Sequence, residues 1–183
     1  MALLTKKAIM STFEQMLEEM PFDKITVSAL VKRCGVSSNT FYYHYQDIYE
    51  LLNVWLAEVL GTVKESNAEL DWKEGTKRLL STCKAHPKII YHIFDSISRE
   101  QLEHYIFSST DDSFTRQVRA KAMGHNLTEE CVEEIANFCR YAFFGYFVKF
   151  LWDNMDADPE DSVDRLGILF EQFVTSAVSH YEK

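Results

Sequence analysis

Six glycines and three prolines in 183 residues leave this chain short of the two residue types that punctuate turns and loops. Val, Ile and Thr in strict alternation, the mark of half-buried strands, are missing too. Together these shortages favour an all-α protein. The four cysteines, Cys34, Cys83, Cys131 and Cys139, show no C-x-x-C spacing. Neither a zinc site nor a disulfide frame is expected, and reduced thiols in a cytoplasmic protein fit the pattern. No signal-peptide hydrophobic region is visible at the N-terminus. The most apolar run, Ile135 to Trp152, is interrupted by Arg140 and Lys149, so it reads as a buried helix rather than a membrane span. G-x-S-x-G, P-loop, H-E-x-x-H and Rossmann glycine patterns are absent, so no enzyme is expected and no cofactor is implied. Glu100 and His104 share a helix face at i,i+4, but no second ligand pair accompanies them, and no metal site is expected.

What is present is enough apolar content, 46%, for a sizeable core. The formal net charge of −9 argues at first against a nucleic-acid partner, because phosphates are neutralised by Lys and Arg. The distribution changes this. Up to Gln46, Lys6, Lys7, Lys24, Lys32 and Arg33 stand against Glu14, Glu18, Glu19 and Asp23, which leaves that segment at +1. A weakly basic head on an acidic body permits DNA binding.

Apolar residues at helical spacing predict a first helix from about Leu3 to Glu19, stopped before Pro21. Thr26 is an N-cap for a short helix, Val27 to Cys34, with Gly35 as its stop. Ser37 or Ser38 caps a second short helix through about Tyr43, and Asp47 a third with Leu51, Leu52, Trp55, Leu56 and Val59 on its apolar face. Further on, helices are expected over Asp71 to Ala85, from Pro87, over Arg99 to about Phe107, and over Phe114 to Met123. The polar segment Ser108 to Asp112 reads as a loop or kink. Thr128 starts a long helix to about Asn154. Asp158-Pro159-Glu160-Asp161 starts the last, to about His180.

Two short helices joined by Gly35-Val36-Ser37 form a helix-turn-helix signature. On a wheel of about 100° per residue, Tyr45 falls on the same face as Phe41, while Asn39 and Tyr43 fall nearly opposite. Phe41 and Tyr45 are therefore expected in the core. Asn39 and Tyr43 point outward, with Thr40 and Tyr42 on the flanks. This is the layout of a recognition helix in the major groove, with base-reading groups at the tip and hydroxyls beside them for phosphates.

The stretch from Thr26 to Leu52, "TVSALVKRCGVSSNTFYYHYQDIYELL", resembles the DNA-binding motif of the TetR family of transcriptional regulators. The likeness lies in Thr26, Gly35-Val36-Ser37, the Thr40-Phe41-Tyr42 triplet, Tyr45 and the Leu51-Leu52 pair. The stretch "RYAFFGYFVKFLWDNMDADPED" resembles more narrowly the C-terminal domain of Firmicute-type members, the group that includes the dihydroxyacetone-kinase operon activator. The resemblance implies phosphate contacts from Thr26, Thr40, Tyr42 and His44, and approach to bases by Ser28, Ser38, Asn39 and Tyr43. This chain departs from the family in carrying Ile48 and Gln46 where basic residues are common. Phosphate affinity would then lean on Lys6, Lys7, Lys24 and helix N-termini, with a shallow salt dependence.

A helix-turn-helix this short needs two copies to read enough base pairs. The expectation is an N-terminal three-helix helix-turn-helix domain, 1–48, and a helical effector-binding and dimerisation domain, 49–183. Double-stranded DNA and a second copy of the chain are the expected partners, with an unknown small-molecule or protein effector and no membrane. The last two helices offer Ile135, Phe138, Cys139, Ala142, Phe143, Tyr146, Phe147 and Phe150, then Val163, Leu166, Leu169, Phe170, Phe173, Val174 and Ala177, for a four-helix bundle between copies. Gly145 would allow close helix approach. By family analogy, Tyr91, His92, Phe94, Tyr105, Phe138 and Tyr141 are candidates for an effector pocket. The alternative is a helical ligand- or protein-binding module that has lost DNA binding.

Overall fold

A computed structural model describes residues 2–65 and 72–181, with the side chains of residues 2, 60–65 and 108–112 outside the description. Among the described residues there are nine α-helices and one 3-10 turn, and no strand. The helices are α1 (Ala2–Glu19), α2 (Val27–Cys34), α3 (Ser38–His44), α4 (Ile48–Glu65), α5 (Trp72–Ala85), α6 (Pro87–Phe94), α7 (Arg99–Ala122), α8 (Glu129–Trp152) and α9 (Pro159–Tyr181). The expected helix start at Asp71 lies outside the described residues.

Most starts are fixed by the side chains that the sequence marks out. Thr26 Oγ1 accepts the Ala29 N–H at 3.2 Å, and Thr128 Oγ1 accepts that of Cys131. Asp47 and Asp158 accept the N–H groups of Glu50 and Asp161. At α7, Ser98 and Gln101 bond each other's backbone N–H in a reciprocal capping box. Pro87 occupies the first turn of α6, where its missing N–H costs nothing.

The chain divides into two compact units. Unit 1 holds residues 1–65 and 82–102. Its core is built from Ile9, Phe13 and Leu17 of α1, Leu30 of α2, Phe41 of α3, Leu51 and Trp55 of α4, and Ile89 and Ile93 of α6, with Phe22 from the 3-10 turn Phe22–Lys24. Here α6 packs on α1. Pro21 ends α1 but has no N–H to give the carbonyl of Leu17 four residues earlier. His92 of α6 fills that place, its Nδ1–H donating to Leu17 O at 2.6 Å.

Unit 2 holds residues 66–81 and 103–183. Trp72, Phe114 and Phe170 form a mutually packed aromatic trio with ring centroids 5.0–5.7 Å apart, and Phe143 joins Phe114 at 5.9 Å. Polar links tie α5 to α9. Lys73 pairs with Glu171, and Lys77 with Glu160 and Asp164. Those carboxylates hold the Lys77 ammonium well above the ordinary lysine range.

The polar segment 108–112 is a correction to the sequence reading. It is not a loop, because α7 runs unbroken from Arg99 to Ala122. Ser, Thr and Asp are only mildly poor helix formers, and no Gly or Pro stands there to end the helix. Buried Ile106 and Phe114 flank it eight residues apart, within about 80° of each other on the helix.

Candidate nucleic-acid interface

The helix-turn-helix is built from its turn outward. Gly35 has φ +74°, a left-handed conformation that suits glycine. The Gly35 and Val36 N–H groups both reach the Val31 carbonyl, closing the end of α2. Ser37 then starts α3. Its Oγ accepts the Thr40 N–H at 3.1 Å and lies 2.8 Å from the Thr40 hydroxyl. A serine three residues before a threonine thus fixes where the second helix begins and which way it faces.

On α3 the wheel reading holds. Phe41 and Tyr45 are buried, Phe41 fully, with ring centroids 5.6 Å apart. Asn39 is exposed and Tyr43 is 79% exposed. Ser38 and Tyr42 are exposed as well, while Thr40 and His44 are half-buried. Tyr42 stands edge-on to Phe41 and Tyr43 edge-on to His44, at 5.4 and 5.0 Å, so each exposed ring is braced by a neighbour. On α2, Thr26 and Ser28 are exposed in and before the first turn. All eight residues expected to touch DNA belong to unit 1 and lie on or beside α2 and α3.

The Tyr45 hydroxyl is buried with no hydrogen-bond partner among the described residues. Burial raises its pKa to about 12, and the carboxylates of Glu58 and Glu50 add to this. A tyrosine whose folded pKa lies above its unfolded value of about 10 stabilises the fold below that value. That contribution is lost as pH rises through the folded pKa. Tyr45→Phe should therefore leave stability at pH 7 equal or raised by up to about 1–2 kcal/mol, since an unpaired buried hydroxyl is removed. It should also flatten the decline between about pH 10 and 12 relative to wild type. Urea denaturation at pH 7 and across that range checks both parts.

Charge is arranged in a way that the sequence does not disclose. Arg33, one of the five cations counted in the first 46 residues, is held by Glu19 through two hydrogen bonds of 2.5 and 2.6 Å. This contact keeps the Glu19 carboxyl below the usual carboxylate range. Lys24 pairs with Asp23 at 2.9 Å. The start of α4 is claimed by the chain's own carboxylates, with Asp47 on the Glu50 N–H and Glu50 accepting from Gln46 N. An acidic pair fits the positive end of a helix but discourages a phosphate from the same place. A signal was available in the i,i+3 spacing of Asp47 and Glu50, the pattern of a helix cap.

The six expected pocket residues come from both units. Tyr91, His92 and Phe94 belong to unit 1, and Tyr105, Phe138 and Tyr141 to unit 2. His92 is engaged with α1, as described above. Tyr105 is half-buried, whereas Phe138 and Tyr141 are 57 and 56% exposed on α8. Phe138 stacks on Phe173 of α9 at 4.4 Å, and Tyr141 meets Phe107 at 4.7 Å. Leu169 of α9 is also exposed. Of the residues grouped with these as an interface, Phe143, Phe147 and Phe170 are buried inside unit 2. Among the described residues no helix is long and apolar enough to cross a membrane.

Comparison with known proteins joins these observations. Residues 9–54 match the family model described as "Bacterial regulatory proteins, tetR family", which covers α2 and α3 entirely. Residues 71–172 match a second model, "Transcriptional regulator C-terminal region", which takes in more than half of the chain. The chain is similar to the HTH-type transcriptional regulator EthR of Mycobacterium tuberculosis and to that of Mycobacterium bovis, at 30% identity over 93 residues in each case. The match covers 45% of this chain and 43% of theirs, so it spans less than half the length of these relatives. With family models matching both its helix-turn-helix and its C-terminal region, the chain belongs to the tetR family of bacterial regulatory proteins.

Proposed function

We propose that this regulator binds an inverted-repeat DNA operator as a homodimer in the cytoplasm. Residues 1–48 supply the reading head, and residues 49–183 supply dimerisation and effector control. The observation that carries the reading is the division of α3. Phe41 and Tyr45 anchor it, Ser37 fixes its start, and Asn39 and Tyr43 stand outward one helical turn apart. Asn suits bidentate pairing with adenine, and Tyr suits a thymine methyl or a phosphate. Thr26, Thr40, Tyr42 and His44 hold phosphates, and Ser28 and Ser38 approach bases.

The exposed apolar residues Phe138, Tyr141 and Leu169 of α8 and α9 support a second copy as the partner of this face. The effector is a small molecule or a protein that acts through residues 49–183.

Asn39→Ala should lower affinity for a selected operator by roughly tenfold or more, since a good base contact is worth about 1–3 kcal/mol of discrimination. Binding to a scrambled duplex should change little. Fluorescence anisotropy on both duplexes decides. Equal losses on the two would reassign Asn39 to phosphate. Wild-type protein that ignores every duplex at low salt would favour a module that has lost DNA binding, a reading to which the Glu19–Arg33 pair and the capped start of α4 lend some support.

A further inference from the structure

Five residues of α8, Phe138, Tyr141, Gly145, Lys149 and Trp152, are exposed. On a wheel of about 100° per residue, all five lie within about 40° of Gly145. Buried Phe143 and Phe147 lie on the opposite side. Gly145 is the anomaly of this stripe. Its φ is not positive, and a Cβ added to it would meet nothing within 4 Å. Nothing among the described residues requires a residue without a side chain there, and glycine weakens the interior of a helix.

The stripe is symmetric about that glycine. Four residues in either direction lead to Tyr141 and Lys149, and seven lead to Phe138 and Trp152. Consider α8 of a second copy laid antiparallel across this one, with a twofold axis at Gly145. Each Lys149 then meets Tyr141 of the other copy, a cation against an aromatic ring. Each Trp152 meets Phe138 of the other copy, an aromatic pair. These meetings lie about 6 and about 10 Å from the crossing, within reach at the shallow angles of helix bundles. A twofold interface must be complementary to itself in this way, and a partner of unrelated sequence would require no such symmetry.

We infer that two copies of α8 cross at Gly145 on the dimer axis, where the missing side chain lets the helices approach closely enough for the stripe to meet its own image. This rests on the homodimer reading above and adds the crossing point and the pairing.

Gly145→Cys in the full chain places two thiols at the axis. Mild oxidation followed by a non-reducing gel should show an intermolecular disulfide forming at least tenfold faster than in Glu130→Cys, an exposed control on the same helix, with wild type giving the background of its four native thiols. Equal rates in a chain that sediments as a dimer overturn the crossing and leave the homodimer standing. A wild-type monomer at micromolar concentration overturns both. Gly145→Gln provides a second arm. A better helix former with a long side chain should raise the dimer dissociation constant at least tenfold while helicity is kept. An unchanged constant rejects Gly145 as the crossing point.

Discussion

A chain carrying Phe138→Glu and Leu169→Glu should sediment as a folded monomer and lose operator affinity with it. Both side chains are largely exposed in the single chain, so carboxylates at these positions face water and cost the fold little. In a dimer through α8 and α9, each copy would bury two unpaired charges, and an uncompensated buried charge costs about 3–5 kcal/mol. Even one such cost raises a dissociation constant by more than about a hundredfold. Operator affinity follows, because the second reading head is no longer tethered beside the first. Sedimentation velocity and circular dichroism on the same sample check the expectation. A variant dimer as tight as wild type would remove this face from the interface. Phe170 cannot serve in this test, although the sequence groups it with Phe173. It is buried against Trp72 and Phe114, and a charge there would act on the core of unit 2.

Phe41→Ala should cost about 3–5 kcal/mol in unit 1, the range for a buried phenylalanine reduced to a methyl group. Domains of this kind are stable by about 5–15 kcal/mol in total, so the head would be near its limit of folding. Phe41 is fully buried and holds α3 from beneath, with Tyr42 and Tyr45 leaning on its ring. Urea unfolding should show the midpoint falling sharply, and operator and random duplex should both be lost on warming. A loss below about 1 kcal/mol would mean that the site collapses around the smaller residue and that α3 is not anchored there.

The starts of the helices were legible because caps are local. Thr26, Ser37, Asp47, Thr128 and Asp158 each bond a backbone N–H three residues ahead, a pattern that a sequence carries on its face. The split of α3 was legible too, since seven residues place Phe41 and Tyr43 on opposite sides whatever surrounds them. Polarity at 108–112 suggested a break in α7, but Ser, Thr and Asp are only mildly poor helix formers and the helix runs through them. The inward face of α8 and α9 was open, since Phe138 and Phe143, or Phe170 and Phe173, are the same residue type on different sides. The grouping of α6 with the first 65 residues had no local signal at all. The bond from His92 to Leu17 spans 75 positions and depends on what Pro21 lacks.

That bond sets an order of events during synthesis. The reading head is made first, yet its α1 wall and the Leu17 carbonyl stay uncovered until residues 82–102 follow. At about 5–20 residues per second, the ribosome needs roughly 2–7 s to go from residue 65 to residue 102. For that interval the nascent head has all the residues expected to touch DNA and an incomplete core. A gene fragment cut at residue 65 would hold the protein in that state permanently.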